Sequence, residues 1–318
     1  MKSWKTIIAE AKQILAAEIL CVALPNPIFL RWLNRFYNGR TLRWKGRFHL
    51  LTAKIFRERN IQNLSAQWRI VVGDGCLVMP LRSSSLWLDW DCAVSVLGHD
   101  REIKETYLRL INARAVDSFV DVGANYGMHS LIFLCNGIRA MTVEPNPDCV
   151  RYFKDIAERN HVKTDIRNVA LGCGFGEVVL SYPERELWLG TVSYVPGPPP
   201  KNDPGWNHVR CAMTTLDEVT NGINGQKILV KIDTEGHELA VLKGAARLLR
   251  EKRPLVIFES FRGEMRPQLF DLIVNSGMGI RRLPWAVAAD GPGGCMGRDD
   301  FLSCDATNFI AVPEEGWC

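Results

Sequence analysis

The sequence lacks the marks of a zinc protein, a disulfide-stapled protein and a membrane-spanning protein. Its ten cysteines are scattered and none stands in a C-x-x-C pair, so neither a zinc site nor a thioredoxin-type motif is readable. Free thiols predict a reduced, cytoplasmic protein, and no ligand spacing demands a metal. The apolar stretch 14–24 contains Glu18 and ends before Pro25, well short of the ~20 residues that span a bilayer.

Positive charge is concentrated at the start of the chain. Residues 1–60 hold twelve Lys or Arg and three Glu, a net charge of +9, whereas all 318 residues together have a net charge of +4. Because this segment also shows helical apolar spacing, we predict a basic helical extension over residues 1–65. Its charge suggests an acidic partner, either anionic lipid met by peripheral membrane contact or a polyanion. A solvated helical face is the simpler alternative.

The remainder divides into a hairpin region and an α/β domain. Residues 66–100 are predicted to contain a β-hairpin, because two β-rich runs flank Gly73-Asp74-Gly75. From about residue 101, strand and helix patterns alternate, which is typical of βαβ units and a parallel sheet. We therefore predict a doubly wound, Rossmann-like domain over residues 101–318, with one strand at 166–171 and one helix at 237–250 among its elements.

Two long connections interrupt this alternation. Six of the sixteen prolines lie in residues 183–204, and residues 286–306 are rich in glycine. Long connections in α/β domains are usually functional loops or lids. We expect them to shape the substrate pocket, where Trp188, Trp206 and Trp285 are candidate stacking residues.

The first chemistry-bearing motif is the run 119–127, FVDVGANYG. A predicted strand ends near Asp121, and a turn bounded by Gly123 and Gly127 leads into a helix. These glycines permit positive φ and close approach of a ligand, and the helix offers free N–H groups. The middle glycine of the dinucleotide fingerprint G-x-G-x-x-G is missing. Asp121 would repel a diphosphate and attract a sulfonium and an ammonium, which favours S-adenosylmethionine over NAD.

Further polar residues follow later predicted strands. Glu144 lies 23 residues after Asp121, near the offset at which an acidic residue meets a ribose in this architecture. Asn168 begins the run 168–171 at the end of the third predicted strand, where an adenine ring would be bordered. Glu259, at the end of a later strand, is a further pocket candidate. His129 fits a packed helix residue better than a catalyst.

The second motif is the run 230–238, VKIDTEGHE. Asp233 ends a predicted central strand, where open α/β sheets bind ligands. Asp233, Glu235 and His237 are candidate catalytic groups, with Asp233 or His237 the favoured base. The helix dipole alone would explain acidic residues such as Glu235 and Glu238 at this position.

In their order and spacing these motifs resemble the FkbM family of methyltransferases, over roughly residues 95–312. The residues that carry the resemblance are 119–127, Glu144-Pro145-Asn146, 168–171, Thr215-Leu216-Asp217, 231–238 and Thr307-Asn308-Phe309-Ile310. The resemblance implies a class I methyltransferase fold with seven strands, the last antiparallel, and S-adenosylmethionine as cofactor. It also implies a hydroxyl acceptor on a sugar, lipid or secondary metabolite.

The predicted site follows from the motifs and the resemblance together. The cofactor residues are Asp121, Gly123, Asn125, Gly127, Glu144, Asn168 and Asp233. The catalytic residues are Asp233, Glu235 and His237. The predicted partner is a small-molecule, glycan or lipid acceptor.

Three other functions stay open. An RNA methyltransferase would use the basic segment as its electrostatic footprint, but no RNA-binding module is recognisable and the catalytic part is net acidic, so nucleic acid is the less favoured partner. A non-catalytic nucleotide-fold protein would use residues 1–60 to dock on a membrane or a partner. An NAD(P) enzyme is the weakest alternative.

Overall fold

The computed structural model describes residues 4–183, 190–193, 204–263, 265–287 and 294–314. The chain divides into two compact units, Met1–Glu105 and Thr106–Cys318. Among the helices in the described ranges, none combines the length and the hydropathy that crossing a bilayer requires.

The first unit combines helices with a two-stranded hairpin. Its elements are α1 (Trp4–Ala23), α2 (Pro27–Asn38), α3 (Leu42–Thr52), β1 (Ser65–Val72), β2 (Gly75–Arg82) and α4 (Leu86–Gly98). Helix α2 begins at an N-cap, because the Asn26 side chain accepts hydrogen bonds from two backbone N–H groups. Pro27 occupies the first turn, a position that favours proline. Strands β1 and β2 pair antiparallel around residues 73–74, which confirms the predicted hairpin.

Aromatic side chains fill the core of this unit. Trp68 and Trp90 are fully buried, and their ring centroids lie 5.3 Å apart in an edge-to-face arrangement. Asn34 and Asn38 of α2 hydrogen-bond to the backbone of β1. These amides therefore satisfy an edge of β1 that would otherwise be open to another strand.

The second unit is built on a seven-stranded mixed sheet. After α5 (Arg101–Asn112), which contains the boundary between the units, its elements are β3 (Ser118–Val122), α6 (Met128–Leu134), β4 (Arg139–Val143), α7 (Pro147–Arg159), β5 (Asp165–Arg167), β6 (Ala170–Leu171), β7 (Gly176–Pro183), β8 (Thr191–Ser193), β9 (Trp206–Thr214), α8 (Leu216–Val219), β10 (Ile228–Ile232), α9 (Glu238–Lys243), α10 (Ala246–Glu251), β11 (Leu255–Glu259), α11 (Met265–Asn275), β12 (Met278–Arg282), α12 (Arg298–Ser303) and β13 (Asn308–Pro313). The strand order is β12-β13-β11-β10-β3-β4-β5. Strand β13 is antiparallel to both neighbours, as predicted for the last strand.

The strand order creates a switch point between β3 and β10. From β3 the chain moves outward through β4 and β5, and it later returns to the other side of β3 with β10 and β11. Since parallel crossovers are right-handed, this reversal winds the connections onto opposite faces of the sheet. Ligands bind at such a point, outside the carboxyl ends of the strands. The architecture is the predicted doubly wound, Rossmann-like fold.

Two predicted elements are wrong in their bounds. The strand expected at 166–171 is two strands in different sheets, because β5 joins the seven-stranded sheet and β6 joins a second sheet of order β6-β9-β7-β8. The helix expected at 237–250 is interrupted between α9 and α10. A Cβ on Gly244 would lie 2.2 Å from the carbonyl oxygen of Gly172, so the chain passes too close there for any other residue.

Candidate active site

The ends of β3 and β10 touch through their backbones. The Asp233 N–H donates to the carbonyl of Val122 at 3.1 Å. Gly123 has φ +71°, and a Cβ there would lie 1.8 Å from the Asp233 carbonyl oxygen. Any side chain at this position would therefore push apart the two strands that form the switch point.

Gly127 has the positive φ that was expected, and it also packs closely against a side chain. Its φ is +72°, and a Cβ would fall 2.2 Å from the ring of Phe153 on α7. Gly127 thus sets the packing of α6, which it precedes, against α7. The predicted contact of this turn with a cofactor stays a prediction.

Replacing Gly127 by alanine should lower the free energy of unfolding by about 2–4 kcal/mol, the sum of a positive-φ cost of about 1 kcal/mol and an overpacking cost. Gly137→Ala is the matched control, since Gly137 has φ +74° and no heavy atom lies within 4 Å of the position that a Cβ would take there. Urea unfolding of the two variants separates the contributions. Equal losses would show that contact with Phe153 costs nothing.

Asp121 is fully buried at the end of β3. Its Oδ2 accepts hydrogen bonds from the backbone N–H and the hydroxyl of Ser130, at 3.0 and 2.8 Å. Thr142 on β4 donates to the same hydroxyl at 2.8 Å. The structure thus gives Asp121 partners on α6, and its predicted contact with a cofactor stays a prediction.

Glu144 ties the turn after β3 to the end of β4. Its two carboxylate oxygens accept the backbone N–H groups of Asn125, at 2.7 Å, and Asn146, at 2.8 Å. Burial, followed by repulsion from Asp121, raises the pKa of Glu144 to about 7, although these two hydrogen bonds act to lower it. A carboxylate has about four lone-pair sites, so Glu144 retains acceptor capacity for hydroxyl groups.

Asn168 lies between β5 and β6 and contacts the backbone just after β4. Its side-chain amide donates to the carbonyls of Glu144 and Pro145, at 2.8 and 3.0 Å. The structure therefore brings Asn125, Glu144 and Asn168 together. Their predicted roles toward a ribose and an adenine ring are consistent with this grouping but stay predictions.

Lys231 is the site residue that sequence reasoning missed. It is only 3% exposed, and its ammonium lies 2.9 Å from Oδ2 of Asp233. Across the sheet it is in register with Asp121 on β3. The signal was present, because alternate residues of a strand face the same side and a lysine inside an apolar strand is almost never buried without a partner.

The loop 234–238 contains two acidic residues with different surroundings. Oε1 of Glu238 accepts hydrogen bonds from the backbone N–H groups of Thr234 and Gly236 and from the Thr234 hydroxyl. Glu238 therefore holds the loop. Glu235, with φ +52°, is an exposed residue beside it. Partial burial of its carboxyl group, followed by repulsion from Asp233 and Glu238, raises its pKa. His237 is half-buried, and within the described residues its Nδ1 is buried without a hydrogen-bond partner.

Glu259 completes a row of carboxyl groups along the strand ends. Burial raises its pKa to about 8, with further contributions from Asp233, Glu235 and Glu238, whereas Lys231 acts in the opposite direction. The carboxyl edge of the sheet is therefore crowded with acidic groups around the buried ammonium group of Lys231. Within the described ranges, no three His, Cys, Asp or Glu side chains converge as a metal-binding group.

The predicted aromatic contacts are only partly described. Trp188 and most of the proline-rich connection lie outside the described residues, as do residues 288–293 of the glycine-rich one. Trp206 is exposed at the start of β9. Trp285 is buried, and its backbone N–H donates to the Thr106 hydroxyl at 2.9 Å, so it is a packing residue.

Comparison with solved structures finds several methyltransferases with low sequence identity. The methyltransferase FkbM from Methylobacillus flagellatus KT is 15% identical, over 72% of this chain and 54% of that chain, with a TM-score of 0.38. The ribosomal protein L11 methylase from Lactobacillus delbrueckii subsp. bulgaricus is 11% identical over 69% and 81%, with a TM-score of 0.37. A SAM-dependent methyltransferase from Agrobacterium tumefaciens is 10% identical over 78% and 70%, with a TM-score of 0.38. The chain spans about half the length of the first of these.

A search of curated proteins gave no match to the chain. Comparison with protein families matched residues 121–275 to the methyltransferase FkbM domain. The matched segment begins at Asp121 and includes Glu144, Lys231, Asp233 and Glu259, so it contains the whole row of strand-end groups. Residues 121–275 are therefore similar to the methyltransferase FkbM domain.

Proposed function

We propose that the protein transfers the methyl group of S-adenosylmethionine to a hydroxyl group of a small molecule, glycan or lipid. The observation that carries this proposal is the excess of carboxyl groups at the strand ends, where the pKa values of Glu144 and Glu259 are raised to about 7 and about 8. A nearby positive charge favours the ionised form of carboxyl groups whose pKa values are raised in this way. A diphosphate would meet repulsion at the same edge.

The donor set fits the cofactor that the domain implies. When bound, S-adenosylmethionine supplies a methyl group activated by its sulfonium charge. Glu144 has acceptor capacity for the two ribose hydroxyls, and Asp233 and Glu259 offer negative charge to cationic groups. Lys231 holds Asp233 in place through their 2.9 Å ion pair.

Glu235 is the group best placed to take the acceptor's proton. It is exposed where a substrate can reach it, and its raised pKa brings it closer to neutral pH than an ordinary carboxylate. A base of this kind suits an acceptor that must lose a proton, which supports O-methylation. Asp233 is already engaged with Lys231, so we assign it to cofactor binding rather than to proton removal.

Calorimetric titration tests the proposal. We expect S-adenosylmethionine and S-adenosylhomocysteine to bind with one site per chain, and NAD to show no heat of binding. Incubation with methyl-labelled S-adenosylmethionine and a panel of sugars, lipids and small alcohols should then label an alcohol oxygen. Tight binding of NAD without binding of either methyl-cycle ligand would overturn the proposal.

The affinity for S-adenosylmethionine should rise with pH and should do so partly through Glu259. Its pKa of about 8 means that the carboxyl is largely protonated at neutral pH, and a cationic ligand favours the ionised form. Binding must therefore release a proton below pH 8, and affinity approaches its maximum above that pH. Titrations between about pH 6.5 and pH 9 should show a gain of up to tenfold per pH unit below the pKa.

Glu259→Gln is the variant that isolates this group. The affinity of this variant for S-adenosylmethionine should depend less steeply on pH. The change in affinity near pH 7, which reflects the Glu144 pKa of about 7, should persist. The amino group of the cofactor titrates equally in both experiments, so the difference between the profiles belongs to Glu259. Superimposable profiles for wild type and variant would show that Glu259 does not sense the ligand.

A further inference from the structure

Helix α1 carries a stripe of large apolar side chains on its exposed side. The stripe consists of Trp4, Ile8, Leu15, Ile19 and Val22, which are 80, 50, 62, 46 and 70% exposed. Their separations of four, seven, four and three residues place them along one line of a helix with 3.6 residues per turn. Other residues of α1, such as Leu20, are buried, so this helix has an apolar face beyond the one that its own unit covers.

Helix α2 presents a second exposed patch of mixed character. Ile28 and Trp32, one turn apart, are 71 and 57% exposed. The Trp32 ring is stacked between Phe29 and Phe36, with centroids 5.6 and 5.7 Å away, so it is held in an exposed position. The exposed residues Arg31 and Arg35 lie beside Ile28 and Trp32 on the helix surface.

The surrounding charge decides what can cover these surfaces. Residues 1–60 have a net charge of +9, and further exposed basic residues are Lys12, Arg40, Arg43, Arg47 and Lys54. A second copy of the unit would bring the same positive charge against it. A nucleic acid would satisfy the charge but would leave the aliphatic stripe without a partner. An anionic bilayer satisfies both, because it offers negative headgroups above hydrocarbon.

We propose that the first unit docks on the surface of an anionic lipid bilayer. The α1 stripe and the side chains of Ile28 and Trp32 enter the headgroup region, where tryptophan is favoured. Arg31 and Arg35 contact lipid phosphates, and their aliphatic stems lie along the apolar surface. The helices lie in the membrane surface, and their amphipathic contact is strengthened by charge.

Co-sedimentation of the full-length protein with vesicles tests this. One set contains phosphatidylcholine only, and the other also contains about one third phosphatidylglycerol. We expect binding to the anionic set, weak binding to the neutral set and release as salt is raised. Arg31→Ser with Arg35→Ser should reduce the partition coefficient by roughly 25-fold, about fivefold per arginine. Leu15→Ser with Ile19→Ser should reduce it about tenfold or more.

Matched controls come from the second unit. Phe175→Ser removes a side chain that is 73% exposed, and Arg151→Ser with Arg250→Ser removes two exposed arginines. Both controls should partition like wild type, and unchanged thermal unfolding should show that every variant is folded. The proposal is overturned by any of three results: equal binding to both vesicle sets, salt-sensitive binding to RNA without vesicle binding, or a wild-type dimer that Leu15→Ser with Ile19→Ser converts to a monomer while no vesicles are bound.

Discussion

Replacing Lys231 by methionine should lower the free energy of unfolding by about 3–5 kcal/mol at pH 8–9 and by much less at pH 5, because breaking one side of a buried ion pair leaves its partner uncompensated. Lys231 is buried against Asp233, and its charge lowers the pKa values of Glu144, Glu235 and Glu259. Without it, these values should rise further above those of the unfolded chain.

The direction of the pH effect follows from those shifts. A carboxyl group whose pKa is raised on folding does not lower the free energy of unfolding while it is protonated in both the folded and the unfolded state, which is the case at low pH. The folded state loses stability as pH rises above the unfolded value of about 4.3 and continues to lose it up to the folded value. The deficit of the variant should therefore grow from pH 5 to pH 9.

Chemical unfolding of the wild type and the variant at both pH values measures this difference. Lys227→Met is the matched control, because Lys227 directly precedes the same strand but is exposed. Its substitution should change stability little at either pH. A Lys231→Met deficit that is the same at pH 5 and pH 9 would mean that the lysine contributes packing alone.

Replacing Glu235 by glutamine should reduce turnover by about 10²–10⁴-fold, the usual contribution of a general base, with little change in affinity for S-adenosylmethionine. The substitution keeps size and polarity and removes the group that accepts the proton. Asp233→Asn should instead weaken cofactor binding and stability, since it takes the partner from the buried Lys231. His237→Ala should have the smaller effect on turnover.

Methyl transfer to the best acceptor from the panel, followed across pH, separates these roles. The wild-type rate should fall on the acid side as Glu235 becomes protonated, and this limb should disappear in Glu235→Gln. Glu251→Gln is the control, because Glu251 is an exposed residue paired with Arg250 on α10. Near-normal turnover of Glu235→Gln combined with a large loss in His237→Ala would transfer the role of base to His237.

The sequence predicted those elements that depend on only a few consecutive residues. The hairpin around Gly73-Asp74-Gly75 and the helix start at Asn146-Pro147 follow from turn and capping preferences of a few consecutive residues. The division of residues 166–171 between two sheets could not be predicted in this way, since the pairing of β6 with β9 joins residues about forty positions apart. The break at Gly244 likewise involves a residue distant in sequence, because the Gly244 carbonyl accepts a hydrogen bond from the backbone N–H of Asp217.

The sequence by itself determined which acidic residues end the strands and in what order, because a buried apolar run followed by Asp121, Glu144 or Asp233 is visible without coordinates. Only the tertiary structure decided what those residues can do. It placed Lys231 against Asp233 and raised the pKa values of Glu144 and Glu259, and it engaged Glu238 in holding a loop. The reason is physical: a pKa depends on burial and on nearby charges, and strands distant in sequence supply both.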